Sequence, residues 1–458
     1  MGFFKAYDMR GTFGKDFTAD TVRAVGEALP GVVGAKKFLV GRDMRLTSRT
    51  VRDALVAGLL SAGAEVDDIG PATTPMVYFF TADGDCGASV QITASHNPAG
   101  DNGMKVSFGD AMPVGYANGI GELEKIAGAR LASGRPVPPF ADVPALFPAP
   151  EEPDAARLAR YVEWMRERLS PDAAKVKFAV DCSNGMASLF ARTLFGGAAV
   201  RLNDVPDGSF PAHSPNPLAA EARAQISAAV REQGLDLGLI FDGDADRVMA
   251  VDRDGDFVQP DFLIPAVAST YLRAEPGAPV LHDVRTSRAA IEALRAAGAR
   301  PVMGKVGHAF AKPLMRKTGA PCGGELAGHY YFREFACCDS GALAAVRLLN
   351  FAAEAREAGS SFTDRIRPLV SKYANSGELN FTVADKPAAI GRALKAAESI
   401  GREVSRSDID GFRIEYEEGW VSIRQSNTEP YLRLIIETDG AERLAAWKAA
   451  LSAAVAAA

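Results

Sequence analysis

A chain of 458 residues is too long for one ordinary hydrophobic core and divides into several domains. Apolar residues make up 47% and charged residues 24%, the balance of a soluble globular enzyme, and a net charge of −6 excludes general attraction to nucleic acid or to an anionic membrane. The five cysteines show no CxxC spacing, which argues against a zinc site or a disulfide framework and fits a reducing cytoplasm. No apolar run reaches signal-peptide or membrane-span length.

In chain order, the first unit covers residues 1–145. YDMRG (7–11) places Arg10 where a strand meets a turn. KFLVGRDMRLTS (37–48) reads as an apolar strand, a polar turn and a helix start. AGAEVDDIG (62–70) adds a second strand, giving a βαβ unit. The strand ASVQITA (88–94) runs into TASHNP (93–98), and DNGMK (101–105) follows. The proline-rich stretch 135–153 reads as a linker. The second unit, 154–256, repeats the pattern with KFAVDCSNGMAS (177–188) and GGAAVRLND (196–204). Its apolar run LGLI (237–240) leads into FDGDADR (241–247), and VMAVDRDGDFV (248–258) is a hairpin turning on Asp254-Gly255. The third unit, 257–369, repeats with PVLHDVRTSRAA (279–290) and AGARPVMGKVGH (297–308), then GGELAGHYYF (323–332). The last unit, 372–458, alternates strands over 411–417, 420–424 and 431–437 and ends in an Ala-rich helix from about Glu442. The expected fold is α/β: three similar α/β domains plus a C-terminal α+β domain.

Four segments carry chemistry. Ser95 in TASHNP lacks the sharp GxSxG elbow and orienting base of a hydrolase. A serine that carries a phosphoryl group needs neither; it needs cations around the phosphate, and His96 and Lys105 suit that role. In FDGDADR, Asp242, Asp244 and Asp246 alternate, so an extended backbone aims three carboxylates at one point. Hard oxygen ligands of this kind suit Mg²⁺. An EF-hand is excluded, because Arg247 and Arg253 stand where its glycine and glutamate belong. Arg247 instead sets a fixed positive charge beside the metal. In GGELAGHYYF, Glu325 can accept from sugar hydroxyls and His329 can shuttle a proton. In RQSNTEP (424–430), Arg424, Ser426, Asn427 and Thr428 offer donors for a phosphate nest. Seen singly, each segment has a plain rival: a serine turn, a solvated acidic turn, a core histidine, a polar hairpin loop.

Together, YDMRG, TASHNP, DGDADR, KVGH, GGELAGH and RQSNTEP, in this order and spacing, resemble the α-D-phosphohexomutase family across nearly the whole chain. The resemblance implies four domains around a central cleft. It implies a phosphorylated Ser95 and one Mg²⁺ per chain, held by that serine with Asp242, Asp244 and Asp246. The sugar-recognition loop maps onto Glu325, Leu326, Ala327 and His329, and the phosphate-clamping loop onto Arg424, Ser426, Asn427 and Thr428. Arg10, Lys105, Arg247, Arg285 and His308 match positions that line the cleft in relatives. The implied reaction interconverts hexose 6- and 1-phosphates through a hexose 1,6-bisphosphate, which also serves as activator. Lys105 and His329 are the candidate general base and acid, in either order, and His308 can take part.

The GEL-x-GH loop points to mannose and glucose phosphates rather than the glucosamine phosphate of the amino-sugar branch. Ala327 stands where relatives commonly have serine, which removes one hydroxyl from the sugar site. Sugar phosphates are the expected partners, with no nucleic acid and no membrane, in a cytoplasmic monomer or weak dimer. A metal-dependent sugar phosphatase and a non-catalytic sugar-phosphate sensor are the rival classes. The first would release phosphate; the second has no need of a nucleophile.

Overall fold

The computed structural model describes residues 2–134, 147–425 and 431–456. Three five-stranded mixed sheets follow one another along the chain. The first contains β1 (Met9–Thr12), β2 (Lys37–Arg42), β3 (Glu65–Pro71), β4 (Ala88–Ile92) and β5 (Asp101–Phe108). The second contains β6 (Phe178–Asp181), β7 (Ala199–Leu202), β8 (Leu237–Phe241), β9 (Val248–Asp252) and β10 (Phe257–Val258). The third contains β11 (Pro279–Asp283), β12 (Arg300–Gly304), β13 (Cys322–Gly324), β14 (Tyr330–Phe332) and β15 (Cys338–Asp339). In each sheet the first βαβ strand pairs in parallel with the next strand on one side and with the third on the other: β2 with β3 and β4, β6 with β7 and β8, β11 with β12 and β13. The third then pairs antiparallel with a hairpin partner, β5, β9 or β14. Helices on 48–61, 188–195 and 288–296 make the crossovers. Ala88–Ile92 and Leu237–Phe241 are buried along their whole length, as strands covered on both faces by helices must be.

The copies differ in one connection. The fifth strand of the second and third sheets, β10 or β15, follows its hairpin, whereas the first sheet is completed by β1, from before the βαβ unit, pairing antiparallel with β5.

The last sheet has six strands: β16 (Ala374–Asn375), β17 (Leu379–Thr382), β18 (Glu403–Ser407), β19 (Phe412–Tyr416), β20 (Gly419–Gln425) and β21 (Tyr431–Thr438). It is antiparallel, and helices on 386–397 and 441–456 cover one face through Ala393, Trp447 and Leu451. The 386–397 helix has no counterpart in the sequence reading. It starts with Asp385 accepting from Ala388 N (2.9 Å) and with Pro387 in its first turn, where a missing N–H costs nothing.

The core is not partitioned as four separate units. The helix on 74–83 in the first domain packs Met76, Val77, Tyr78 and Phe80 into one hydrophobic cluster that continues through Phe178, Val180 and Phe241 to Val280, Phe332 and Leu343. The fourth domain keeps its own core, and polar ties join it to the third. Arg413 donates to Val284 O (2.8 Å) and Thr286 O (2.7 Å) while stacked 3.7 Å from the Trp420 ring. Arg288 donates to Glu415 (2.8 Å), Tyr416 O (2.7 Å) and Gly419 O (2.8 Å). No helix among the described residues is long and apolar enough to cross a membrane.

Candidate active site

The chemical loops sit at one recurring place. TASHNP links β4 to β5, DGDADR links β8 to β9, and ELAGH links β13 to β14. Each copy thus ends its third strand at the same edge, and the three loops meet where the domains join. An isolated bridge between Arg247 and His329 and a hydrogen bond from Val248 N to Gly328 O (3.4 Å) tie the second loop to the third. RQSNTEP joins β20 to β21; its Ser426, Asn427 and Thr428 lie outside the described residues.

Ser95 is fully buried and takes a left-handed backbone, φ 53°. Its N–H donates to Thr93 Oγ1 (2.8 Å) and its Oγ to Asp242 Oδ2 (2.8 Å), with His96 Nδ1 3.4 Å from Oγ. The three aspartates do converge: their oxygens lie within 4.8 Å of one another. The reason differs from the expected one. The strand ends at Phe241 and residues 242–246 form a turn with Ala245 at φ 61°, so loop curvature rather than strand alternation brings the carboxylates together. Lys105, on β5, donates to Asp244 (2.7 Å) and Asp246 (2.5 Å), and Thr74 donates to Asp244.

The electrostatics follow from burial. Burial pushes the Asp242 carboxyl well up, and the neighbouring Asp246 and Asp244 add to the shift. Burial acts on Asp246 in the same sense, yet the Lys105 ammonium above all holds it below the usual carboxylate range. Burial would lower Lys105, but Asp244 and Asp246 outweigh it and keep the ammonium protonated. His96 departs from the expected cation: burial, then Arg247 and Arg10, push its pKa well below the ordinary value, so here it is a neutral hydrogen-bonding group.

Asp244 Oδ1 and Asp246 Oδ1 are buried without a hydrogen-bond partner. An orphaned pair of hard oxygens beside a third carboxylate fits a small divalent cation such as Mg²⁺.

The remaining predicted residues surround this centre. Arg10 donates to Asn97 Oδ1 (3.0 Å) and pairs with Asp8. Arg247 Nε donates to His329 Nε2 (3.1 Å), and His329 Nδ1 lies 2.8 Å from Asp339 Oδ2, which fixes the ring with its proton on Nδ1. Asp339 in turn faces Lys312 (2.9 Å), fully buried 3.5 Å over the Tyr78 ring. His308, at a helix start, has a buried Nδ1 without a partner; burial, then Lys312, lowers its pKa to about 3. Glu325 Oε1 accepts from Gly307 N (3.1 Å) and Tyr331 OH (2.7 Å), and its Oε2 lies 3.9 Å from Arg285. Burial raises the Glu325 pKa. Arg285 pairs with Asp283 (2.6 Å), whose carboxylate also accepts from Leu326 N (3.0 Å). Ala327 is half-buried in the same loop. Arg424, 3% exposed, donates to Asp410 (3.1 Å), and Asp410 accepts from Val306 N (3.1 Å) of the KVGH segment.

Several of these partners escaped the sequence reading. Asp8 was visible inside YDMRG. Asn97 was likewise visible inside TASHNP, whereas Thr74, Asp339, Lys312 and Asp410 bear no local signal; only the fold makes them neighbours of the site.

Domain models of the phosphoglucomutase/phosphomannomutase family match the chain in order: alpha/beta/alpha domain I over residues 1–127, domain II over 144–255, domain III over 259–373 and the C-terminal domain over 378–454. The chain is 36% identical over 442 residues to a Xanthomonas campestris protein named phosphohexose mutases, and 34% identical over 452 residues to the Escherichia coli K12 phosphomannomutase; each match covers 95% of both chains. A solved phosphoglucomutase/phosphomannomutase family protein from Burkholderia thailandensis superposes with a TM-score of 0.83 at 30% identity, covering 100% of this chain and 98% of the other. With four domain models in order and full-length relatives above 30% identity, the chain belongs to the phosphoglucomutase/phosphomannomutase family.

Proposed function

We propose that this phosphohexomutase interconverts the 6- and 1-phosphates of mannose and glucose, with Ser95 as the phosphoryl carrier. The observation that carries the reading is the setting of Ser95: a buried hydroxyl 2.8 Å from Asp242, inside a shell that includes Lys105, Arg10 and Arg247. A nucleophile in such a shell binds and passes on a phosphoryl group, because the fixed cations meet the charge on its equatorial oxygens.

In the first transfer the phosphorus–Oγ bond of phosphoserine breaks as a phosphorus–oxygen bond to the sugar hydroxyl forms. The sugar proton leaves to a base. The bisphosphate then turns over, and its other phosphoryl group returns to Ser95 while the departing sugar oxygen takes up a proton. His329 is suited to proton transfer, because Asp339 holds its proton on Nδ1 and leaves Nε2 as an acceptor towards Arg247. Lys105, kept charged by two carboxylates, serves as a fixed cation for the phosphate rather than as a base. Asp242, Asp244 and Asp246 would hold Mg²⁺, which when bound offsets carboxylate charge and polarises the phosphoryl group. Glu325 and Leu326 to His329 address the sugar, and Arg424 the distal phosphate.

The test is turnover of mannose 1-phosphate with Mg²⁺ and a catalytic amount of glucose 1,6-bisphosphate, following both the 6-phosphate and free phosphate. Phosphate release matching turnover would replace the mutase by a sugar phosphatase.

A further inference from the structure

Arg45, in the turn after β2, is 2% exposed, and among the described residues no hydrogen bond links it to Ser95 Oγ or to Asp242, Asp244 or Asp246. Its guanidinium instead collects carbonyls from the nucleophile loop. Nη2 donates to Ser95 O (2.8 Å) and Asn97 O (2.6 Å), and Nη1 to Pro98 O (2.6 Å) and Asp101 O (2.9 Å). Asp43 Oδ2 lies 3.2 Å from Nε, and Asp43 also accepts from Arg45 N (3.0 Å). A planar fork with five donors can span such a ring of acceptors; an ammonium cannot. The clamp matters because Ser95 sits at φ 53°, a conformation that a residue with a Cβ holds only when its surroundings over-determine it.

The opposite face of Arg45 meets the second domain. Phe210 lies 5.0 Å beneath the guanidinium, itself at φ 51°. Gly208 approaches so closely that a Cβ there would stand 2.4 Å from Met44 O and 2.7 Å from Arg45 Cα. Asn184 anchors this loop by donating to Val205 O (3.0 Å) and accepting from Asp207 N (2.9 Å) and Ala212 N (3.3 Å). Its neighbour Ser183 donates to Phe241 O (2.6 Å), the last carbonyl before Asp242. The contacts form a closed circuit: Ser95 to Asp242, Phe241 to Ser183, Asn184 to the 205–212 loop, Phe210 to Arg45, and Arg45 back to the Ser95 carbonyl.

We propose that Arg45, seated on Phe210, is the positioning residue that sets the Ser95 hydroxyl against Asp242, and so governs phosphoryl transfer to and from Ser95 but not capture of the sugar phosphate. The proposal rests on Ser95 being the phosphoryl carrier. Phosphoryl transfer depends steeply on in-line placement, so a slackened loop costs rate rather than affinity.

The test compares full-length wild type, Arg45→Lys and Phe210→Leu. Each is dephosphorylated and mixed rapidly with glucose 1,6-bisphosphate, quenched and weighed intact, alongside steady-state kcat and KM and a thermal melt. For Arg45→Lys, the rate of Ser95 phosphorylation and kcat should fall together by about 30-fold or more, with KM within about threefold of wild type. Phe210→Leu, which keeps apolar volume but loses the aromatic face, should show the same split at roughly fivefold. Unchanged phosphorylation rates, or a loss confined to KM, would overturn the proposal. If Arg45→Lys does not fold, Phe210→Leu decides by the same two readings. A wild type that takes up no phosphate on Ser95 would overturn the carrier reading instead.

Discussion

The Ser95 hydroxyl gives the fold little beyond its hydrogen bond to Asp242 and a long contact with His96, while its backbone spends energy on a left-handed φ of 53°. Strain of this kind costs on the order of 1–3 kcal/mol and persists where function needs the geometry. Ser95→Ala should therefore melt near wild type and lose activity by roughly 10³-fold or more. Intact mass should show a phosphate-sized adduct on wild type that the variant lacks; an active alanine enzyme would refute the carrier role. Asp244→Asn removes one of the two triad carboxylates with an orphaned oxygen and one of the two that hold Lys105. Roughly tenfold more Mg²⁺ should be needed for half-maximal activity, and excess chelator should abolish wild-type turnover until Mg²⁺ is restored. Full activity in chelator would mean the triad binds no essential metal. Ser95, Lys105 and the three aspartates were legible because chemically telling residues crowd into short motifs. Arg45 and Asp339 were not. An arginine that grips carbonyls 50 to 56 residues along the chain, or a carboxylate that fixes the tautomer of His329, looks in sequence like any other charge.

Three hairpin loops bring the candidate residues together, and the sequence hid that regularity. The repeats announce themselves in β2, β6 and β11, where apolar strands precede polar turns, so aligning them there leaves TASHNP, DGDADR and GELAGH in seemingly unrelated places. Only strand pairing reveals that β4, β8 and β13 are equivalent and that each loop leaves the same end of its sheet. The 386–397 helix was missed because a proline and a glycine interrupt KPAAIGRALKAA, although Asp385 caps it and Pro387 stands in the turn where proline is harmless. Helix packing offers a test at this scale. The helices on 19–33 and 48–61 touch backbone to backbone, and a Cβ on Gly58 would lie 2.3 Å from Arg23 O. Gly58→Ala should destabilise the protein by roughly 1–3 kcal/mol through this overpacking. A thermal melt should shift down by several degrees, while kcat at 20 °C stays close to wild type, since the contact is remote from Ser95. A melt superimposable on wild type would show that the helices separate freely.

At the scale of the molecule, sequence breaks suggested four units; the first keeps a core of its own yet lends its 74–83 helix to a cluster that runs through the second and third, and the fourth is attached through Arg288 and Arg413. Shared burial leaves no local trace, because an apolar residue looks the same whichever sheet it packs against. Ser95 and Lys105 are buried where the units meet. Arg424, on the attached unit, is tied through Asp410 to the KVGH segment of the third. Because the intermediate must bind in both orientations, one clamp has to hold whichever phosphate lies far from Ser95. Arg424→Ala should then raise KM for the 1-phosphate and the 6-phosphate alike, by about tenfold or more; an effect on one substrate alone would separate the two binding modes. The same turnover makes a tight pocket at carbon 2 hard to satisfy twice. Mannose and glucose phosphates should be used within about tenfold of each other, the bias one lost hydrogen bond at Ala327 allows, and glucosamine phosphate much less well. A preference for the amino sugar in a side-by-side assay would overturn that. The odd connection of the first sheet has its own consequence, in the order of synthesis. The ribosome makes β10 and β15 last, so the second and third sheets finish as their chain emerges. It makes β1 before β2 to β5, and Met9 must wait for Met104, on the order of ten seconds later. Throughout that interval the nascent chain carries an unpaired strand bearing Arg10, and a ribosome stalled before β5 would display it to any chaperone that binds extended segments.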